Sequence, residues 1–166
     1  MSVFPEEPFG SADALDLPPA ALAVVRRTGL RLGDLGAVFD PAYGALGRAA
    51  ASGRIALSGP ALAIYRGDPM DVFDLEIGYP VDTALSETVA VDGIDIEASE
   101  LPSGPAVAST FIGSYDGLGE AWGRLFGAVS AEGRRPAGIW IEAYVSDPRT
   151  TAPEELRTDL VIPVMR

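Results

Sequence analysis

The feature that most constrains the fold is a pattern of punctuation that runs along the chain twice. Leu17-Pro18-Pro19 leads into an apolar stretch, Ala21–Val25, and a turn at Gly29; Leu101-Pro102-Ser103 leads into Ala106–Phe111 and a turn at Gly113. A helical stretch follows in each, one reaching about Ala51 and closed by Gly53, the other reaching about Ala131 and closed by Gly133. Next come Ala61–Arg66 with the turn Gly67-Asp68-Pro69, and Ile139–Val145 with the turn Ser146-Asp147-Pro148. The last strands, Phe73–Tyr79 and Asp159–Ile162, run into Pro80-Val81 and Pro163-Val164. The offset drifts only between 79 (Tyr65 to Tyr144) and 84 (Leu17 to Leu101), so small insertions suffice. Such self-similarity marks a repeated supersecondary unit. One strand–helix–strand–strand unit buries too little surface to stand alone. Two of them predict a single α+β domain, an antiparallel sheet with two helices around a pseudo-twofold cleft. On this reading residues 1–16 are an irregular arm and 17–166 form the domain. Its repeats span about 17–81 and 101–164, with a linker at 82–100.

Local signals refine the units. Asp40-Pro41 offers an N-cap and an N1 proline, which predicts a first helix over 41–51. The second helix is expected to start near Ser114 or Asp116, with Leu118, Trp122, Leu125 and Val129 facing the core. Trp122 and Phe126 read as core residues. Gly119, Gly123 and Gly127 share a face, and each costs about 1 kcal/mol of helix stability relative to Ala. Either another element approaches that face closely, or the glycines reflect a glycine-rich composition. In the linker, Thr88–Val91 and Ile94–Glu97 flank Asp92-Gly93, a hairpin signal.

The chain has no Cys, His or Lys. That excludes disulfides, thiolate or imidazole metal sites, Ser-His-Asp and Cys-His nucleophiles, and Schiff-base chemistry. Catalysis, if any, rests on carboxylates, hydroxyls, Arg, backbone groups or a bound cofactor, and no cofactor or metal is expected. Asp68, Asp71 and Asp74 lack the Gly and Glu of a calcium loop. Gly113–Gly123 lacks the Lys of a phosphate loop and the dinucleotide fingerprint. A net charge of −12 argues against binding a nucleic-acid backbone. No run approaches the roughly 20 apolar residues of a membrane span, and Met1–Phe9 does not read as a signal peptide. A cytoplasmic protein is expected.

The candidate site is the stretch Ile139-Trp-Ile-Glu-Ala-Tyr-Val145. In a strand Ile139, Ile141, Ala143 and Val145 face one way, and Trp140, Glu142 and Tyr144 the other, so a carboxylate stands between two large rings. Where the second unit has Trp140, Glu142 and Tyr144, the first has Ala61, Ala63 and Tyr65. Two tyrosines, a space left by two alanines and an off-centre Trp–Glu pair describe an asymmetric aromatic cleft. Glu76, mid-strand between Leu75 and Ile77, is the expected second carboxylate, with Asp159 as its match. Tyr115 and Tyr43 either line the cleft or cap a helix. Ring faces attract cations, and a carboxylate in an apolar slot needs a partner. The plain alternative is that Glu142 pairs with Arg66 or Arg157 and the rings are ordinary core.

The stretches Leu101-Pro-Ser-Gly-Pro-Ala-Val-Ala108, Gly113-Ser-Tyr115, Trp140-Ile-Glu-Ala-Tyr-Val-Ser-Asp-Pro148 and Leu156-Arg-Thr-Asp-Leu-Val-Ile-Pro-Val164 together resemble the GyrI-like family, which overlaps the effector-binding domains of multidrug-sensing transcription regulators. The stretches Gly59–Pro69 and Phe73–Val81 strengthen the resemblance, which covers roughly 17–166. It implies a duplicated α+β fold whose central cleft binds bulky aromatic, often cationic compounds around a buried glutamate, here Glu142. With sixteen residues ahead of the domain, a stand-alone binder of lipophilic cations is expected, walled by Trp140, Tyr65, Tyr144 and Tyr115. The resemblance also implies two alternatives. One is a hydrolase of cyclopropane-bearing alkylating toxins using Glu142 and Glu76. The other is an acidic interaction protein acting on a DNA-handling enzyme such as gyrase.

Overall fold

In the computed structural model, residues 4–166 are described. They form nine strands and two long helices: β1 (Asp13–Leu17), β2 (Ala21–Leu30), α1 (Leu35–Ala51), β3 (Ala61–Gly67), β4 (Phe73–Pro80), β5 (Val89–Val91), β6 (Ile94–Glu100), β7 (Gly104–Ile112), α2 (Leu118–Ala131), β8 (Ile139–Tyr144) and β9 (Arg157–Pro163). All strands join one sheet in the order β1-β7-β9-β8-β3-β4-β2-β6-β5, and every pairing is antiparallel. From the β3–β8 junction outward, β3-β4-β2 and β8-β9-β7 follow the same course, and β3 and β8 meet at the centre. The protein is therefore α+β, with a helix over each half.

The period-2 alternation of each strand sorts its residues between two buried faces. On the helix side, α1 covers Ala23 and Val25 of β2, Ala63 and Tyr65 of β3, and Phe73, Leu75 and Ile77 of β4. Leu125 and Val129 of α2 cover Val107, Leu160 and Ile162. On the far side Leu22, Val24, Leu62, Ile64, Ile141, Ala143 and Val161 form a third cluster with Leu17, Leu101 and Phe4. At the crossing of β2 and β4 the backbones approach closely at Gly78, where a Cβ would lie 2.0 Å from the Ala23 carbonyl oxygen. The linker turn has the expected shape: Asp92 (φ 51°) and Gly93 (φ 80°) both sit in the left-handed region, as a tight hairpin turn requires.

Two expectations are corrected, and one open choice is narrowed. The first helix starts at Leu35, and Pro41 lies inside it; having no N–H, Pro41 cannot donate to the Ala37 carbonyl, so it is an interior residue carried at a cost to the helix and not its start. The arm is not irregular throughout, because Asp13–Leu17 pairs with β7 as an edge strand. Ahead of it, Arg157 clamps the arm by donating to the carbonyls of Glu6 (2.6 Å) and Pro5 (2.9 Å). Of the two readings of Gly119, Gly123 and Gly127, close approach by another element is not what the structure shows: among the described residues, a Cβ built on each meets nothing within 4 Å. The α2 start is close to expectation, a single turn at Tyr115–Gly117 preceding Leu118. Among the described residues no helix is long and apolar enough to cross a membrane.

Candidate functional site

The central pair of strands sets the geometry. The ladder places Ala61 opposite Tyr144, Ala63 opposite Glu142 and Tyr65 opposite Trp140. Ala63 and Glu142 are thus direct cross-strand partners at the middle of the sheet. Tyr65 is the diagonal neighbour of Glu142 and Tyr144 lies two residues along its own strand, so both rings flank the acid. Ala63 is small enough to leave the space into which both phenols turn.

Glu142 is buried, 6 % exposed. Its Oε1 accepts the hydroxyls of Tyr144 (2.5 Å) and Tyr65 (3.1 Å), and its Oε2 accepts the indole N–H of Trp122 (2.7 Å). Every one of these donors is neutral. The arginines that could have paired with it are engaged elsewhere: Arg66 with Glu76 (3.1 Å) and Arg157 with Asp159 (2.9 Å). Among the described residues no arginine forms an ion pair with Glu142. Burial, and after it the negative charge of Glu142, push the Tyr65 and Tyr144 phenols far above the ordinary tyrosine range. Both therefore remain protonated donors.

Around the acid the rings form two runs. Tyr144 meets Phe39 of α1 edge-on (centroids 6.3 Å) and Tyr115 on the other side (5.9 Å). Phe39 stacks with Tyr43 (6.0 Å), which is edge-on to Tyr79 (5.7 Å). Trp122 is edge-on to Trp140 (6.1 Å), and Phe126 tilts against Trp140 (5.9 Å). The Trp140 indole donates to the Gly67 carbonyl (3.1 Å), and Tyr43 donates to the Leu62 carbonyl (2.7 Å). Tyr115 and Phe126 are the outer, exposed members of the set. Next to Tyr144 across the ladder, Thr158 holds a buried hydroxyl with no hydrogen-bond partner among the described residues.

The structure therefore brings Glu142, Trp140, Tyr144, Tyr65 and Tyr115 together, but not Glu76. Leu75 and Ile77 face α1, so Glu76 projects from the far side of the sheet. There it accepts from Arg26, Arg66 and Ser99 in a groove of about 300 Å³. Its match, Asp159, is held by Arg157 and Thr110, also away from Glu142. Trp122, read from sequence as core, is instead a direct donor to the acid. Phe39 was missed because the expected first helix began at Pro41, two residues beyond it, whereas α1 starts at Leu35. Among the described residues no group of three or more carboxylates is placed to hold a metal ion.

Comparison with known proteins gives concordant results. Residues 15–165 match the family described as the GyrI-like small molecule binding domain. The fold resembles the EcmrR C-terminal domain (TM-score 0.75, 18 % identity, 93 % of this chain and 97 % of that one). It also resembles SAV2435 bound to tetraphenylphosphonium (TM-score 0.69, 12 % identity, 93 % of both chains). A hydrolase from Listeria innocua superposes with a TM-score of 0.62 at 18 % identity, over 96 % of this chain and 94 % of that one. At these identities the likeness is one of fold. Searching the curated proteins gives no match.

Proposed function

Because the chain belongs to the GyrI-like small-molecule-binding family, we propose that it captures bulky aromatic cations in the cleft between α1 and α2, over β3 and β8. Glu142 is the counter-charge; Trp140, Tyr144, Tyr65 and Tyr115 are the walls. The observation that carries this reading is a buried carboxylate held by three neutral donors and, among the described residues, no cation. A carboxylate so placed lies in a ring-lined slot, where a cation gains both Coulomb attraction and ring-face attraction. That the similarly folded SAV2435 is bound to tetraphenylphosphonium supports the choice of ligand class. The same reading treats 17–81 and 101–164 as two copies of one ancestral unit.

The test is calorimetric titration with tetraphenylphosphonium and with a neutral aromatic of equal bulk. Cation binding that exceeds neutral binding at least tenfold is expected. Equal affinities would overturn the charge assignment.

A second reading, hydrolysis of alkylating toxins, draws support from the Listeria fold neighbour described as a hydrolase. With Glu76 across the sheet it would rest on Glu142 and its tyrosines alone. A ring-opened product from a cyclopropane-bearing alkylator, seen by mass spectrometry, would establish it; none across a panel would end it.

A further inference from the structure

Trp122 occupies an unusual place. Its indole N–H is the only donor to Oε2 among the described residues, at 2.7 Å, whereas Oε1 already accepts two phenols. The phenols come from β3 and β8, fixed in the sheet beside the acid. The indole comes from α2, the helix that closes over it. Both helices open on Leu-Gly, as Leu35-Gly-Ala-Val-Phe39 and Leu118-Gly-Glu-Ala-Trp122, so Phe39 stands as far from the start of α1 as Trp122 does from the start of α2. Phe has no N–H, so of these two residues only Trp122 can address the acid. Gly119, one turn earlier on α2, carries no side chain, and among the described residues a Cβ built there meets nothing within 4 Å. A ring leaving Oε2 has room to move there.

We infer that Trp122 is the site's own stand-in for a ligand. Its N–H satisfies Oε2 while the cleft is empty, and an incoming cation must displace it to reach the carboxylate. The inference rests on the cation-binding reading above and adds to it that the empty site is plugged from α2. A buried acceptor is costly to leave unpaired, so a neutral donor that swings away lets the acid stay satisfied in both states. The occupant that gains most is a cation whose charge is flanked by aryl groups, since it replaces one hydrogen bond with a full charge and restacks the displaced ring.

The experiment uses tetraphenylphosphonium with the wild-type protein and with Trp122→Phe, which keeps a ring but removes the donor. Removing a hydrogen bond that binding must break is expected to tighten the cation about tenfold. In a crystal structure of the wild-type complex, Nε1 of Trp122 is expected beyond hydrogen-bonding distance of Oε2. Weaker binding by Trp122→Phe would make the indole a wall and overturn the inference. So would a complex in which the 2.7 Å bond persists, which needs no variant to fold. Binding by the variant but not by wild type would support the plug directly. If neither protein binds, the cation reading itself fails, and the inference with it.

Discussion

Replacing Glu142 with Gln removes the charge and little else. The amide can turn its oxygen to the Trp122 N–H and its nitrogen to Tyr65 and Tyr144, whose hydroxyls rotate to accept. Three bonds to an ion become bonds to a neutral group, a loss of about 1 kcal/mol each. Relief of a desolvated charge, several kcal/mol in effective terms, acts in the opposite direction. Unfolding free energy should therefore move by less than about 2 kcal/mol either way. Binding is another matter. A cation centred about 6 Å from the carboxylate at an effective dielectric of about 20 is attracted by about 2.8 kcal/mol. That is about a hundredfold in affinity at 25 °C. Calorimetry should thus show tetraphenylphosphonium weakened about a hundredfold by Glu142→Gln, and a neutral aromatic of equal bulk left within about threefold. Glu76→Gln, across the sheet, should leave cation affinity unchanged. A folded Glu142→Gln protein that binds the cation as wild type does would refute the reasoning.

Arg157→Met strips the cation from Asp159, which is fully buried, and should cost about 3–5 kcal/mol in urea unfolding; adding Asp159→Asn should recover part of that loss. Gly78→Ala drives a methyl into the Ala23 backbone, 2.0 Å from its carbonyl oxygen. A loss of about 3 kcal/mol or more is expected from thermal melts, at or beyond the upper end for overpacking; a near-neutral effect would mean that β2 and β4 can separate there. The tyrosines give a pH test. Tyr43, Tyr65 and Tyr144 have phenols raised by burial, so the folded state holds their protons more tightly than the unfolded chain. Their contribution is complete below pH about 10 and is lost as pH rises above it. Absorbance near 295 nm should show these phenols ionising together with alkaline unfolding, and independent titration near pH 10 in the folded protein would contradict their burial.

How much was legible in the sequence follows from the two-faced sheet. Ile139–Tyr144 alternates strictly, and its parity alone put Glu142 among Trp140 and Tyr144. The same parity in Phe73–Tyr79 could not say which face lies under α1, because Leu75 and Ile77 are buried on one side while Ile64 and Val24 are buried on the other. Glu76 was thus assigned to the wrong side of the sheet. Trp122 fell to a similar ambiguity. Its helical spacing with Leu118 and Leu125 is that of a core residue, and a ring can pack in a core and still extend an N–H to an acid. The Pro5-Glu6-Glu7-Pro8 segment carries no periodicity, so its clamp on Arg157 depends on contacts some 150 residues apart, which no local pattern encodes.

The pairing of Ala63 with Glu142 has one more consequence. These are the residues that face each other where the two halves meet, so any group placed at both would confront its own copy at the roughly 5 Å spacing of cross-strand neighbours. Two acids there would repel and share a proton. The junction therefore has room for a single carboxylate, and one half must yield its place with something as small as a methyl. Lopsidedness at the centre is what a charged site on two facing strands calls for.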